Sequence, residues 1–362
     1  MRVAIVVKDF PPDMIGGTET QTKRMATALT DRGHDVTVFT KRYGDHDDTE
    51  MPFEVVRVPN LRSNPFISTL TFLLACTVML ARRANEFDIC QCMMIYPNGF
   101  LGYVVRRLTG LPYLAWIRGG DYYFMKDVTW KRWMIERVLE DTRVLVQAPG
   151  IETDVRTDFP NIDHELSVLG NGVEIPESTA DGDDVLFVGR LAPMKGVSVL
   201  IRAIAELDAS LTIVGDGSER DRLESLAAEV GADTTFVGRV PPEAVDDYYH
   251  SAGVFCLPST GDEGLPNAVL EAMSWGLPCV TTDSGGLPSL VGEGDRGYVV
   301  PKNDPESLRE RLAELLDDPD RRAGIGENAR EYVVANHSWD AIVDALEDHY
   351  TAVREDSESG SY

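Results

Sequence analysis

Lysine is scarce in this chain: seven lysines stand among 362 residues, beside 27 arginines and sixty acids. The formal net charge is −26 and the sequence pI is about 4.5. So large an acid excess repels the phosphates of nucleic acid and the headgroups of anionic lipid. It matches adaptation to high salt, where screening shortens to about 3 Å at 1 M and self-repulsion becomes tolerable. Isolated acidic clusters therefore carry little functional information. Cysteine is sparse too. Cys76, Cys90, Cys92, Cys256 and Cys279 sit mostly inside apolar runs, an odd count without disulfide-scaffold character, which fits reduced thiols in the cytoplasm. Cys90 and Cys92 flank one residue of a strand-like run and should share a face, packing in a core rather than holding metal.

A secretory leader is not read at the N-terminus, where MRVAIVVKDF goes directly into a strand-like run. Nor is there an apolar stretch of comfortable membrane-spanning length. The longest uncharged run, NPFISTLTFLLACTVMLA (64–81), is closed by Arg82 and Arg83 and rises about 25 Å as a helix. It is expected to be a buried or interfacial helix, so a peripheral position at the inner face of a membrane is the one departure from a purely cytoplasmic location. No complete G-x-G-x-x-G follows any strand-like run, which speaks against a dehydrogenase.

What is present is an alternation of apolar strands and helices, twice over. At this length two domains are expected. In the first half, VAIVV (3–7), VTVFT (36–40), FEVVRV (53–58), DICQCMM (88–94), YLAWI (113–117) and VLVQA (144–148) read as strands, with helical stretches between several of them. Continuous apolar strands alternating with helices indicate a parallel sheet covered on both faces. The turn-rich, acidic NGVEIPESTADGDD (171–184) reads as a linker. Beyond it VLFVGR, LTIVG, TFVGRV, VFCLPS and PCVTT restart the pattern with helices between them. The region 305–335 is helical, an amphipathic stretch follows from Trp339 to about Val353, and REDSESGSY is expected to be disordered. Two open sheets in tandem imply a cleft lined by loops at the strand carboxyl ends.

Several loops carry ligand-binding chemistry. Arg190 ends a strand and Lys195 enters the next helix, two cations that together can hold a diphosphate. Gly215 and Gly217 in IVGDGSER, and the pair Gly16–Gly17, permit close backbone approach to a ligand. The strongest element is LPSTGDEGLPNAVLEAMSWGLPCV. Gly264 and Pro266 keep Glu263 in a loop, a helix begins near Asn267, and Glu271 follows in its first turns. One carboxylate thus stands on each side of a helix N-terminus whose N–H groups accept phosphate, while the carboxylates suit sugar hydroxyls. Asp-x-Asp occurs at Asp45–Asp47 and Asp181–Asp183, in a loop and in the linker, so no metal site is expected and helix dipoles with Arg190 and Lys195 neutralise a leaving diphosphate.

The segments GGTETQ, NGVE, FVGRLAPMKG, IVGDG, FVGRV, PSTGDEGLPNAVLEAM and SGGLPSLV occur in this order along nearly the whole chain. With them the chain resembles the retaining GT-B glycosyltransferases of family 4, the "glycosyl transferases group 1" enzymes. The resemblance implies an α/β GT-B fold, two Rossmann-like parallel-sheet domains facing a central cleft. Residues 1–172 would form an acceptor-side domain, 173–184 a linker and 185–336 the nucleotide-sugar domain. Residues 337–354 would form a helix crossing back to the first domain, with 355–362 a disordered tail. It further implies a hexosyltransferase-like enzyme moving a sugar from a nucleoside-diphosphate donor to a hydroxyl of a glycan or lipid-linked acceptor. Configuration would be retained and no metal or other cofactor used, as in cell-surface glycan, glycolipid or protein glycosylation. Arg190 and Lys195 would hold the diphosphate, Glu263 the transferred sugar and Glu271 the ribose. The Gly264–Leu265–Pro266–Asn267 backbone would face phosphate, and Val240 would lie near the base. Many members carry His-Gly after a first-domain strand, where this chain reads WIRGGDYY. Arg118 stands in that place and cannot act as a general base, so it would position donor or acceptor electrostatically. Closure would bring Gly16, Gly17 and Arg118 onto the donor. A sugar-nucleotide epimerase on the same fold and a non-catalytic GT-B subunit are the alternatives. The Glu-x7-Glu pair speaks against the first, and the intact Arg190, Lys195, Glu263 and Glu271 against the second.

Overall fold

The structure, a computed structural model, describes every residue except 14, 15, 45, 62, 63, 163, 262 and 360–362. Asp45 of the first Asp-x-Asp, Asp262 of the 258–266 loop and the last three residues of the tail therefore lie outside the described residues. The chain divides into two compact units, Met1–Gly172 with Trp339–Tyr362, and Val173–Ser338.

The first unit runs β1 (Arg2–Val6), α1 (Gly17–Asp31), β2 (Asp35–Lys41), β3 (Glu54–Val58), α2 (Pro65–Arg82), β4 (Ile89–Met93), α3 (Phe100–Thr109) and β5 (Tyr113–Ile117). It continues with α4 (Gly120–Tyr123), α5 (Thr129–Leu139), β6 (Val144–Val146), α6 (Pro149–Asp158) and β7 (Leu166–Val168). The seven strands form one parallel sheet in the order β3-β2-β1-β4-β5-β6-β7. β4 and β5 are buried along their whole length, as the unbroken apolar runs demand when both sheet faces are covered. The short β7, with only Leu166 buried, has no such run and escapes sequence reading.

The second unit runs β8 (Asp184–Val188), α7 (Val197–Ile204), β9 (Leu211–Val214), α8 (Arg220–Val230), β10 (Thr234–Gly238), α9 (Val245–His250) and β11 (Ala252–Leu257). α10 (Asn267–Ser274), β12 (Cys279–Thr282), α11 (Leu287–Val291), β13 (Gly297–Val300), α12 (Pro305–Asp317) and α13 (Pro319–His337) complete it. Its six parallel strands lie in the order β10-β9-β8-β11-β12-β13. The helical region after residue 305 is two helices. Asp304 and Asp318 each accept a backbone N–H three residues on, at Ser307 and Arg321, and each is followed by a proline in the first turn.

The last helix, α14 (Trp339–Ser359), belongs to the first unit. Ile342, Val343, Leu346, Tyr350 and Val353 pack with Met25 and Leu29 of α1 on one sheet face, while α2, α3 and α5 cover the other. The expectation of a disordered tail from residue 355 is corrected here. α14 continues through Ser359, and Asp356 accepts a 2.7 Å hydrogen bond from Arg143 Nε, which ties the last turn to the sheet.

Candidate active site

Both sheets reverse their strand order beside their first strand, between β1 and β4 and between β8 and β11. In open α/β sheets, ligands bind outside the strand carboxyl ends at such a switch point. In the second unit the loops there are 189–196 after β8 and 258–266 after β11, which carry Arg190, Lys195 and Glu263. They are in backbone contact. Thr260 N and Gly261 N both donate to Met194 O, at 2.8 and 3.2 Å. Gly196 has φ +66°, and a Cβ there would overlap the Pro258 carbonyl oxygen, so only glycine serves. A third loop clamps the same place from β12. Gly286 N donates to Glu263 O at 3.1 Å, and a Cβ on Gly285, at φ +54°, would overlap that oxygen.

This framework brings together side chains far apart in sequence. Lys195 Nζ lies 2.7 Å from Glu263 Oε1, and Ser259 Oγ donates to the same oxygen at 2.5 Å. Both members of the ion pair are largely buried, with side-chain exposures of 19% and 9%. Ser259 escaped sequence reading because a serine after a strand is ordinary; only the fold shows that it is fully buried against Glu263. Arg190 at the end of β8 is exposed and pairs with no described side chain. Gly264 is exposed, Leu265 and Pro266 are half-buried, and α10 begins at Asn267 with Pro266 at its N-cap supplying no side-chain cap. One turn along, Glu271 Oε2 accepts a 3.0 Å hydrogen bond from Tyr249 Oη. That phenol is pushed well above its ordinary range, first by burial and then by the Glu271 carboxylate. Tyr249 is a second residue joined to these carboxylates with no sequence signal.

Val240 is half-buried after β10, packed on the core. Gly215 and Gly217 were expected to admit a ligand. Their close approach is instead to the protein's own backbone, since a Cβ would overlap Gly189 O and Leu191 O respectively. The two glycines let the loop after β9 pack on the backbone of Gly189 and Leu191, the residues on either side of Arg190. Asp181 and Asp183 are engaged with His250 and Arg322. Among the described residues, no group of three or more His, Cys, Asp or Glu is placed to hold a metal.

In the first unit, Gly16 and Gly17 follow β1 at the entry to α1, and Arg118 follows β5. Gly17 is exposed, and nothing lies within 4 Å of where its Cβ would be. Arg118 is held firmly. Its guanidinium lies 4.7 Å from the Trp116 ring centroid and Nη2 donates to the buried Asn171. Its backbone N–H donates to Asp121 Oδ1 at 2.9 Å. Nε and Nη1 are buried and donate to no described atom. Burial brings the guanidinium down to about 10, against the pull of Asp121 and Glu19. Burial also raises the Asp121 carboxyl to about 6, although Ile95 N and Arg118 N both donate to it. Buried donors without acceptors are costly, and in folded proteins they are met by an acceptor group or an ordered water. Asn171, 53 residues from Arg118, is the partner that sequence reading missed.

Residues 174–332 match the family model described as Glycosyl transferases group 1, and residues 15–176 match the one described as Glycosyltransferase Family 4. An uncharacterized glycosyltransferase of Methanocaldococcus jannaschii is 28% identical over 94% of this chain and 96% of its own length. The GDP-mannose-dependent alpha-(1-6)-phosphatidylinositol monomannoside mannosyltransferase of Mycolicibacterium smegmatis is 27% identical over 92% of this chain and 94% of its own. In fold, the chain is similar to the sucrose-phosphate synthase of Thermosynechococcus elongatus. The TM-score is 0.79 at 22% identity, covering 97% of this chain and 98% of that one.

Proposed function

We propose, from the premise that this chain is a glycosyltransferase of the GT-B fold, that it moves a sugar from a nucleoside diphosphate to an acceptor hydroxyl with retention of configuration. The observation that carries this reading is the buried Lys195–Glu263–Ser259 cluster beside Arg190 at the switch point of the second sheet. In this reading Arg190 and Lys195, on one loop, supply the cations for a diphosphate, and Glu263 the carboxylate for sugar hydroxyls. The nucleotide-dependent name of the Mycolicibacterium relative supports the same donor class.

In this reading Arg190 and Lys195 neutralise the diphosphate, and the first amides of α10 with the Gly264–Asn267 backbone supply further donors. Glu263 orients the sugar, Glu271, held by Tyr249, accepts from the ribose hydroxyls, and Val240 flanks the base. The bond from the anomeric carbon to the phosphate oxygen breaks and its electron pair leaves with the diphosphate. The acceptor oxygen bonds the same face, and its proton passes to the departing phosphate oxygen. No side chain acts as base, which suits an Arg at position 118: with a value near 10 it stays charged at neutral pH and positions an anionic group. We assign the donor to the second unit and a glycan or lipid-linked acceptor to the first, with Gly16, Gly17 and Arg118 on the acceptor side. No divalent metal is required in this scheme, and the acidic composition suits a cytoplasm of high salt.

The test is a thermal-shift panel of nucleoside diphosphates and their sugars in molar salt, followed by NMR of the product's anomeric proton with the best donor. Stabilisation by one nucleotide series, abolished in Glu271→Ala, and a product of the donor's own configuration are expected. A panel without any shift, or an inverted product, refutes the reading.

A further inference from the structure

α2 carries no charge before Arg82 and presents large apolar side chains on two opposite sides. Phe72, Cys76 and Leu80 are buried against the sheet, yet Phe66, Leu70, Leu74 and Val78, each four residues on, form an exposed stripe along the opposite side. Leu74 keeps 62% of its surface exposed, on a helix that a water-facing position would make polar. The stripe does not stand alone. α3 packs between α2 and α5 on the same sheet face, and α5 exposes Trp130 and Trp133. Phe124, in the turn before α5, is 79% exposed.

Charge follows the same division. The three helices α2, α3 and α5 together hold six bases and one acid, a net +5, so the remainder of the chain carries −31. Two of the seven lysines, Lys126 and Lys131, fall beside these aromatics, and Lys131 Nζ lies 5.3 and 5.5 Å from the Tyr96 and Trp130 ring centroids. Arg82 is exposed at the end of α2 and Arg107 at the end of α3.

We propose that the outer face of α2, α3 and α5 docks the protein on a lipid bilayer bearing anionic headgroups. Exposed Leu and Phe enter the acyl boundary, the two tryptophans sit at headgroup level, and the basic side chains meet lipid phosphate. The strongly acidic remainder is repelled by the same surface and so orients the molecule with this face down. Contact is interfacial, because one side of α2 belongs to the core and no described helix is long and apolar enough to cross a membrane. A second copy of the chain is disfavoured as the occupant, since two net-positive faces would oppose each other. The whole-chain charge argues against anionic lipid, and this one face reverses that argument locally.

The experiment is flotation of the full chain with vesicles of phosphatidylcholine, with and without phosphatidylglycerol, at low and molar salt. The chain is expected to float with the anionic vesicles, less at molar salt, where the charge contribution is screened. The double variant Leu70→Glu/Leu74→Glu should lower the bound fraction about tenfold. Lys131→Glu should weaken binding only to the anionic vesicles. All substituted side chains are at least partly exposed, so circular dichroism and the melting temperature should match the parent protein. Lys195→Ala, in the proposed donor site, should float normally, which separates this surface from the donor reading. Absence of flotation with either vesicle overturns the proposal. So does equal flotation of the double variant, or a dimer in sedimentation equilibrium that the same variant dissolves.

Discussion

Replacing Lys195 by alanine tests the donor site through two independent quantities. In the free protein the substitution leaves the Glu263 carboxylate, 9% exposed, with the Ser259 hydroxyl. A buried charge deprived of its partner costs about 3–5 kcal/mol. Here the retained serine and the partly exposed lysine hold the expected loss to about 1–3 kcal/mol. For a unit of this size that lowers the melting temperature by roughly 2–4 °C per kcal/mol. Binding should suffer separately, because a hydrogen bond to a charged group is worth about 1.5–3 kcal/mol, or about 10- to 150-fold in nucleoside-diphosphate affinity. Glu263→Gln is the counterpart. It releases Lys195 from its ion pair, so nucleoside-diphosphate binding should stay within about threefold or tighten, while the added affinity of the sugar nucleotide falls. Isothermal titration calorimetry of both variants, with a diphosphate and its sugar in molar salt, gives the comparison. The reasoning fails if Lys195→Ala leaves diphosphate affinity within about twofold, or if Glu263→Gln weakens both ligands equally.

Glu271→Ala should cost about 10- to 150-fold in affinity for the nucleoside diphosphate and almost nothing for its dideoxyribose analogue, as calorimetry with both ligands would show. Gly196→Ala places a Cβ on the Pro258 carbonyl oxygen at φ +66°, so the loops after β8 and β11 must separate. A drop of several degrees in melting temperature and loss of the nucleotide-induced shift are expected. Asp121, raised to about 6 against about 3.9 when unfolded, binds its proton more tightly in the fold. Its contribution to stability is therefore greatest below about pH 4 and falls by roughly 2–3 kcal/mol as pH rises to about 6. Urea unfolding of Asp121→Asn across that window should show a flatter slope than the parent protein. Arg118→Lys keeps the charge and loses the planar fork, so kcat/KM should fall about tenfold or more with donor affinity unchanged.

Much of the architecture was legible because parallel strands buried on both faces are written as unbroken apolar runs, and β4 and β5 are of that kind. β7, with Leu166 alone in the core, was not. The donor loop was legible through Glu263, Gly264, Pro266 and Glu271, residues whose backbone and charge properties are local. What joins them was not local. The contact of Lys195 with Glu263 spans 68 positions, and that of Arg118 with Asn171 spans 53. Both depend on which strands become neighbours, a choice that no helical or strand period encodes. Gly215 and Gly217 show the same limit: a glycine announces close approach, and only the fold reveals that the approaching group is the loop of Gly189 and Leu191.

The placement of α14 sets the order in which the nascent chain is able to fold. Residues 173–338 form a unit contiguous in sequence and leave the ribosome complete, whereas the first unit waits for a helix made after them. Ile342, Val343, Leu346, Tyr350 and Val353 belong to the core over one face of the first sheet. At about 5–20 residues per second, that face goes without its cover for on the order of ten to forty seconds after Gly172 is made. The half synthesised first is thus the half closed last, and translation itself, rather than sheet topology, sets its vulnerable interval.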